Sequence, residues 1–200
     1  MDTSEALWAA GRRAYEIEAD AITRALLAVE ESEFLRAVEA LAAAERIAAS
    51  GCGHTGIACR HFAHLMCCIE RPARFLPPSE AVHGGTGFVQ PGDVVLLASR
   101  GGKTAELLPI LTIAKKKCAT VITVTENGDS PLAEGASILL KMAVTRETDR
   151  FNAQGTTSFT VLAVLFHALQ AALIERTGYQ NEQFALIHPG GAVGQRLKKQ

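Results

Sequence analysis

Gly51-Cys52-Gly53-His54-Thr55-Gly56 is the stretch on which the reading of this chain turns. The hexapeptide follows a short apolar run at 46–49 and precedes a helical pattern that begins at Ile57. Glycines at such a turn let backbone N–H groups approach a ligand, and the start of the next helix adds roughly half a positive charge. Three glycines can also simply make a tight turn. A second loop, Ser99-Arg100-Gly101-Gly102-Lys103-Thr104, stands in the same strand-to-helix context. Two such loops on one parallel sheet predict a site for a phosphorylated small molecule.

Outward from these loops, short apolar runs alternate with helical stretches from Arg46 onward. That alternation predicts a parallel sheet with helices on both faces. Strands are expected at about 46–50, 73–76, 94–98, 120–125 and 137–140. Val94–Ala98 and Thr120–Val124 have the near-continuous apolar character of strands buried on both faces. Helices are expected at about 55–68, 104–117, 131–135 and 156–176. Thr104, Ser130 and Thr156 stand where N-caps belong, and Pro131 takes the first helical position. On such sheets ligands bind beyond the carboxyl ends of the strands. The two glycine loops, the segment 125–130 and the segment 143–158 should therefore share one edge.

Upstream, Ala6, Leu7, Ala10, Ala14, Ile17, Ala21, Ala25 and Ala28 recur at helical spacing, so a long helix is expected over 3 to about 30. A second runs from about Ser32 to Glu45. The domain plan is then a helical extension over 1–45, packing on the domain or on a partner subunit, and a sheet domain over 46–200. The fold class is α/β: a three-layer α/β/α sandwich with a five-stranded parallel sheet, preceded by a long helix. Trp8 and Tyr15, seven apart on the first helix, read as a packing stripe against the domain or a partner.

Composition excludes several function classes. With 20 Lys and Arg against 21 Asp and Glu, no basic field for nucleic acid exists. No apolar run approaches the roughly 20 residues of a membrane span, and the longest candidate, 159–174, is broken by His167 and Gln170. The N-terminus lacks a signal-peptide core. Five cysteines, with Cys67 and Cys68 adjacent, make no disulfide framework, and reduced thiols in a cytoplasm are expected. Cys52, His54, Cys59, His61, His64, Cys67 and Cys68 invite a metal reading, and His61, His64 and Cys68 share a helical face. No Cys-x2-Cys pair or His-Glu-x-x-His arrangement accompanies them, so no metal is expected, and no cofactor.

The segments 79–99, Thr156–Thr160 and Phe184–Leu197 carry a resemblance. Ser79–Ser99 contains a His-Gly-Gly run at 83–85, and His188-Pro189-Gly190-Gly191-Ala192 is followed by Gly194 and the basic Arg196. The chain resembles sugar isomerase (SIS) domains over roughly residues 20–197, closest to the arabinose-5-phosphate isomerase family in its short form without CBS domains. The resemblance implies a flavodoxin-like sandwich and a cofactor-independent interconversion of aldose and ketose phosphates. It also implies a homodimer or homotetramer whose sites are shared between subunits.

By the same resemblance the functional set falls on His54, Glu106, Glu147 and His188, with His54 standing where the family has a lysine. His188 would then reach a neighbouring subunit's site. The phosphate loop also departs from the family, having exchanged a hydroxyl and an acid for Arg100 and Lys103. The segment 148–155 replaces a family run rich in Cys, Pro and Leu. Candidate catalytic residues are Glu106, Glu147, His188, His83 and His54. Candidate substrate-binding residues are Gly51, Gly53, His54, Thr55, Ser99, Arg100, Gly101, Gly102, Lys103, Thr104, Thr156, Thr157 and Ser158.

Plainer readings stand beside these. Glu106, in the first turn of its helix, could offset the dipole. Glu147, between Arg146 and Thr148, could be solvated surface, and Thr156–Ser158 could be a cap. His188 and His83 could make turn-stabilising hydrogen bonds. At the level of function, a phosphosugar-binding or regulatory domain without turnover is the alternative to an isomerase. An isomerase of another sugar phosphate, such as a hexulose phosphate, is a third.

Overall fold

Every strand pairing in the sheet is parallel. The computed structural model describes residues 3–197 and contains β1 (Ile47–Ser50), β2 (Ala73–Phe75), β3 (Val94–Ala98), β4 (Thr120–Thr125) and β5 (Ile138–Lys141). Their spatial order is β2-β1-β3-β4-β5. Alternation along the strands divides the core in two. Ile47, Ala49, Val94, Leu96, Ala98, Ile122 and Val124 face one side. Ala48, Val95, Leu97 and Val121 face the other. Neighbouring residues of a strand point to opposite faces, so an apolar run without a polar partner must be covered twice.

The first face is covered by α1 (Thr3–Ala28), α2 (Glu31–Ala43), α3 (Gly53–Cys67) and α7 (Thr157–Thr177). The second is covered by α4 (Pro78–Ala81), α5 (Leu108–Lys116) and α6 (Pro131–Glu134). Two short helices, α8 (Asn181–Ile187) and α9 (Gly191–Leu197), end the described chain. The sandwich expected from the sequence is therefore the one observed.

α7 lies against α1, α2 and α3, and buries Leu162, Leu165, Phe166, Leu169 and Leu173. Each such side chain contributes roughly 1.5–3 kcal/mol of transfer free energy. By length and composition alone this helix could cross a membrane, which corrects the expectation that no segment here reaches that length. Its position among three other helices accounts for its apolar character without a bilayer.

α2 also covers the edge of the sheet at β5. Glu33 accepts a hydrogen bond from the Leu139 N–H at 3.0 Å, and Arg36 donates to the Ser137 carbonyl at 2.8 Å. The Leu139 bond holds the Glu33 carboxyl below the usual carboxylate range, with Arg36 adding to the effect against some burial. An edge strand whose polar groups are taken up in this way offers less to a foreign strand.

Several local expectations need correction. The helix expected from 104 starts as a 3-10 turn over Ala105–Leu107 and becomes α5 only at Leu108. Pro109 has no N–H to give to residue 105, so the α ladder cannot run across it. Of the three expected caps only Ser130 is made, its Oγ accepting from the Ala133 N–H at 3.3 Å. The Thr104 and Thr156 hydroxyls are engaged in the loops instead. Leu7, Trp8 and Tyr15 are 69%, 71% and 81% exposed, so that stripe does not pack on its own domain. α1 enters the core only through its second half, at Ala21 and Ala25. The short helices α4, α8 and α9 were not foreseen, because turn-like sequences such as Gly190-Gly191 have poor helix propensity.

Between α1, α2 and α7 lies an apolar cavity of about 670 Å³, bordered by Ile22, Leu26, Val29, Phe34, Val161 and Leu165.

Candidate functional site

In the order β2-β1-β3-β4-β5 the chain leaves β1 in one direction and β3 in the other. The crevice of such a sheet opens at this reversal, outside the carboxyl ends of the strands. Gly51–Gly56 follows β1 and Ser99–Thr104 follows β3, so both loops flank it. The segment after β4, from Glu126, and the segment after β5, through 142–156, close the same edge.

The first loop is built by a close approach. A Cβ on Gly56 would lie 2.6 Å from the Gly51 carbonyl oxygen, so α3 can begin this near the end of β1 only with glycine there. His54, exposed in the first turn of α3, places Nδ1 2.8 Å from the carbonyl oxygen of Gly155. A carbonyl can only accept, so Nδ1 carries the hydrogen and a neutral His54 presents a lone pair at Nε2. A neutral His54 therefore accepts a hydrogen bond at its free nitrogen and cannot donate one to a sugar carbonyl. Cys52, beside it, has its thiol pKa raised by burial and then by the Glu106 carboxylate. Glu106, exposed in the 3-10 turn, thus faces the first loop. α4, followed directly by the turn with His83, packs against the same 3-10 turn. His83 itself is exposed.

The second loop is held from within. Ser99 Oγ and Thr104 Oγ1 lie 2.7 Å apart, and Ser99 Oγ accepts from the Gly102 N–H at 3.1 Å. Gly102 has φ +66°, and a Cβ there would sit 2.0 Å from Ser130 Oγ. The N–H groups of Gly101, Lys103 and Thr104 have no acceptor among the described residues. Lys103 is exposed and unpaired among them.

Arg100 has a different position from the one expected. Its Nε donates to Glu126 Oε2 at 2.6 Å, its Nη1 to Glu147 Oε1 at 2.6 Å, and its Nη2 to the Val144 carbonyl at 3.3 Å. Glu126 Oε1 in turn accepts from the Val144 N–H at 2.6 Å. One guanidinium between two carboxylates leaves the group with a net negative charge, which opposes an incoming phosphate dianion.

Glu147 is 1% exposed, which removes the reading of it as solvated surface. Its Oε2 accepts from the Thr156 hydroxyl and the Ser158 N–H, each at 3.2 Å, and its own N–H donates to Asn152 Oδ1 at 2.6 Å. Thr156 and Ser158 are thereby brought to Glu147. Thr157 Oγ1 lies between them, fully buried and without a partner among the described residues. Three backbone N–H groups, of Phe151, Ala153 and Gln154, converge on Asp149 and hold its carboxyl below the usual range.

His188 does not join these loops through any described hydrogen bond. Its ring packs on Phe184 with centroids 4.9 Å apart, and its buried Nδ1 has no partner. α8, which precedes it, starts beside the far end of α3, where Gln183 donates to Glu70 at 2.9 Å. That end lies at the amino edge of the sheet, opposite the loops.

Glu126 and Asn152 belong to the arrangement and were not singled out from the sequence. Glu126 had a signal: it is the first residue past the carboxyl end of a buried strand. Among the described residues no group of three or more His, Cys, Asp or Glu side chains is placed to hold a metal.

A family model for the SIS domain matches residues 40–172. The arabinose 5-phosphate isomerase KdsD of Pseudomonas aeruginosa is 38% identical over 187 residues, which is 93% of this chain and 57% of that protein. KdsD of Yersinia pestis is 33% identical over 190 residues, 94% of this chain and 57% of its own length. The chain therefore spans little more than half the length of these relatives.

Among solved structures, a Listeria monocytogenes protein described as a candidate sugar-phosphate isomerase superposes with a TM-score of 0.92 at 39% identity, covering 95% of this chain and 100% of that one. The c3406 protein of E. coli CFT073, in complex with arabinose 5-phosphate, superposes with a TM-score of 0.87 at 29% identity, covering 94% and 100%. By the family model and by these relatives together, this chain belongs to the SIS-domain family.

Proposed function

We propose that this protein is a cofactor-independent aldose–ketose isomerase of sugar phosphates, of the arabinose 5-phosphate type. The observation that carries the reading is the convergence of His54, Glu106 and the second glycine loop at the reversal point of the sheet, on a chain 38% identical to an arabinose 5-phosphate isomerase.

Isomerisation moves one proton between adjacent carbons and one between their oxygens. Glu106, exposed beside the first loop, is the group for the carbon-bound proton. His54 Nε2 accepts the proton of the neighbouring hydroxyl and returns it to the other oxygen. The free N–H groups of Gly101, Lys103 and Thr104, the hydroxyls of Ser99 and Thr104, and the Lys103 ammonium receive the phosphate. Arg100, Glu126 and Glu147 hold the loops after β3, β4 and β5 in register instead of touching the phosphate. His188 serves a second copy of the chain in a dimer or tetramer, because its own loops lie at the other edge. Five free cysteines fit a reducing compartment such as the cytoplasm.

The test is an assay of purified protein against pentose and hexose phosphates in deuterated water, read by NMR. Interconversion with solvent deuterium at the carbon beside the carbonyl is expected. His54→Ala should slow it at least about tenfold, and Glu106→Gln by about a hundredfold or more. Wild-type rates in both variants would overturn the assignment.

A regulatory binding domain is the second reading. It is favoured by the exchange of the family's lysine for His54 and by the two carboxylates that occupy Arg100. Saturable binding of a sugar phosphate, with no turnover of any member of the panel, would select it.

A further inference from the structure

α3 and α7 both start at the edge that carries the loops and lie side by side across one face of the sheet. Two turns along α3 from His54 they are tied by an N–H···N hydrogen bond, His61 Nε2 lying 2.9 Å from His167 Nε2 with the rings edge to face. Burial, then His167 and His64, lower the His61 pKa and so favour this neutral, hydrogen-bonded pair. The helix that carries His54 is thus anchored. The acceptor for the His54 ring, the Gly155 carbonyl, lies instead in the segment between β5 and α7, which forms no helix or strand.

One carboxylate organises that segment. Asp149 Oδ1 accepts from the Phe151 N–H at 2.9 Å, and Oδ2 accepts from the Ala153 and Gln154 N–H groups at 3.0 and 2.8 Å. The Asp149 carbonyl accepts from the Asn152 N–H at 3.1 Å, with Asn152 in the left-handed region at φ +56°. Gly155 follows the last of these donors directly. On its other side Thr156 Oγ1 donates to Glu147 and accepts from the Thr148 N–H. Gly155 is outside the left-handed region, yet a Cβ there would lie 3.2 Å from His54 Nδ1 and 3.3 Å from Cγ. The imidazole is therefore seated directly on the backbone of residue 155.

We propose that Asp149 is a positioning residue for His54. By closing the loop over 149–154 it aims the Gly155 carbonyl at Nδ1 and fixes the tautomer that leaves Nε2 open as an acceptor. In a histidine without this bond the hydrogen resides mostly on Nε2, which would present a donor where the proposed reaction needs an acceptor. Asp149 acts through Gly155 and takes no proton itself. The inference rests on the isomerase reading of His54, but the tautomer can be read without turnover.

Nitrogen-15 NMR of the His54 ring in the full-length protein tests the proposal at about pH 8.5, where an ordinary imidazole is neutral. The wild type should carry its hydrogen on Nδ1. In Asp149→Ala the two nitrogens should move toward the opposite assignment. Asp149→Asn, which keeps an oxygen for the Ala153 and Gln154 N–H groups, should restore most of the wild-type signal. Gly155→Ala strains no backbone and should shift the tautomer as Asp149→Ala does, by crowding the ring. In the isomerase assay Asp149→Ala should lower kcat about tenfold, with KM changed less than about twofold. It should cause no further loss in a His54→Ala background. A hydrogen on Nε2 in the wild type, a tautomer unchanged in both Asp149→Ala and Gly155→Ala, or losses that simply add to that of His54→Ala would each overturn the proposal. The expected tautomer shift in a protein that turns over no sugar phosphate would uphold the positioning role and sink the isomerase reading instead.

Discussion

Arg100 Nη1 and Glu147 Oε1 lie 2.6 Å apart and join the loop after β3 to the loop after β5. The Glu147 side chain is 1% exposed and that of Arg100 is 38% exposed, so the carboxylate is the member with no access to water. Glu147→Ala leaves Arg100 reached by water and still held by Glu126, so the loss comes from the Ser158 N–H and the Thr156 hydroxyl left without this acceptor, at about 1–3 kcal/mol. Urea unfolding should show that loss, with a smaller one for Glu147→Gln, which keeps an acceptor for the Ser158 N–H. An unchanged midpoint in Glu147→Ala would show that the network contributes nothing to stability.

Gly53 and Gly102 both have positive φ, at +56° and +66°, yet their surroundings differ. Nothing lies within 4 Å of a Cβ on Gly53, whereas one on Gly102 would meet Ser130 Oγ at 2.0 Å. Gly53→Ala should cost only the left-handed backbone penalty of about 1–2 kcal/mol. Gly102→Ala should cost about 3 kcal/mol or more, because it also displaces the Ser130 cap of α6. Equal losses in chemical denaturation would mean that the contact with Ser130 relaxes freely.

The lowered pKa of His61 gives stability a pH dependence. Below its ordinary value of 6.5 the unfolded chain takes up a proton that the folded chain resists. This contribution is therefore complete above about pH 6.5 and is lost as the pH falls through the lower, folded value. Denaturation midpoints measured from pH 7.5 downward should fall less steeply in His61→Gln than in the wild type. Parallel curves would remove the histidine pair from the account.

Trp8 is the only tryptophan, and it is 71% exposed on a helix that also exposes Tyr15, Leu26 and Leu27 at 81%, 75% and 85%. Leu26 borders the apolar cavity between α1, α2 and α7. A row of large apolar side chains of this kind suits contact with another copy of the chain. Light scattering should report a dimer or tetramer, with Trp8 emission shifted to the blue relative to a diluted sample. Trp8→Glu should lower the association constant by about tenfold or more. A wild-type monomer at micromolar concentration, with red-shifted emission, would contradict this.

Much of this molecule was legible along the chain. The apolar runs at 94–98 and 120–125, the two glycine loops and the Ser130-Pro131 start each follow local rules of alternation, turn geometry and capping. Those rules act over a few residues, so the sequence by itself determined the sandwich and the edge on which the two glycine loops lie. It could not place side chains whose partners lie far along the chain. Along the chain Arg100 reads as a phosphate ligand and Glu147 as an acid–base group or solvated surface, whereas the fold brings these residues, 47 positions apart in sequence, to 2.6 Å in space. The same holds for His54 and Gly155, and for His61 and His167, each pair brought together only when α3 packs beside α7. Charge and hydrogen bonding act over a few ångströms. Which cation is spent and which nitrogen remains free was therefore decided by tertiary packing.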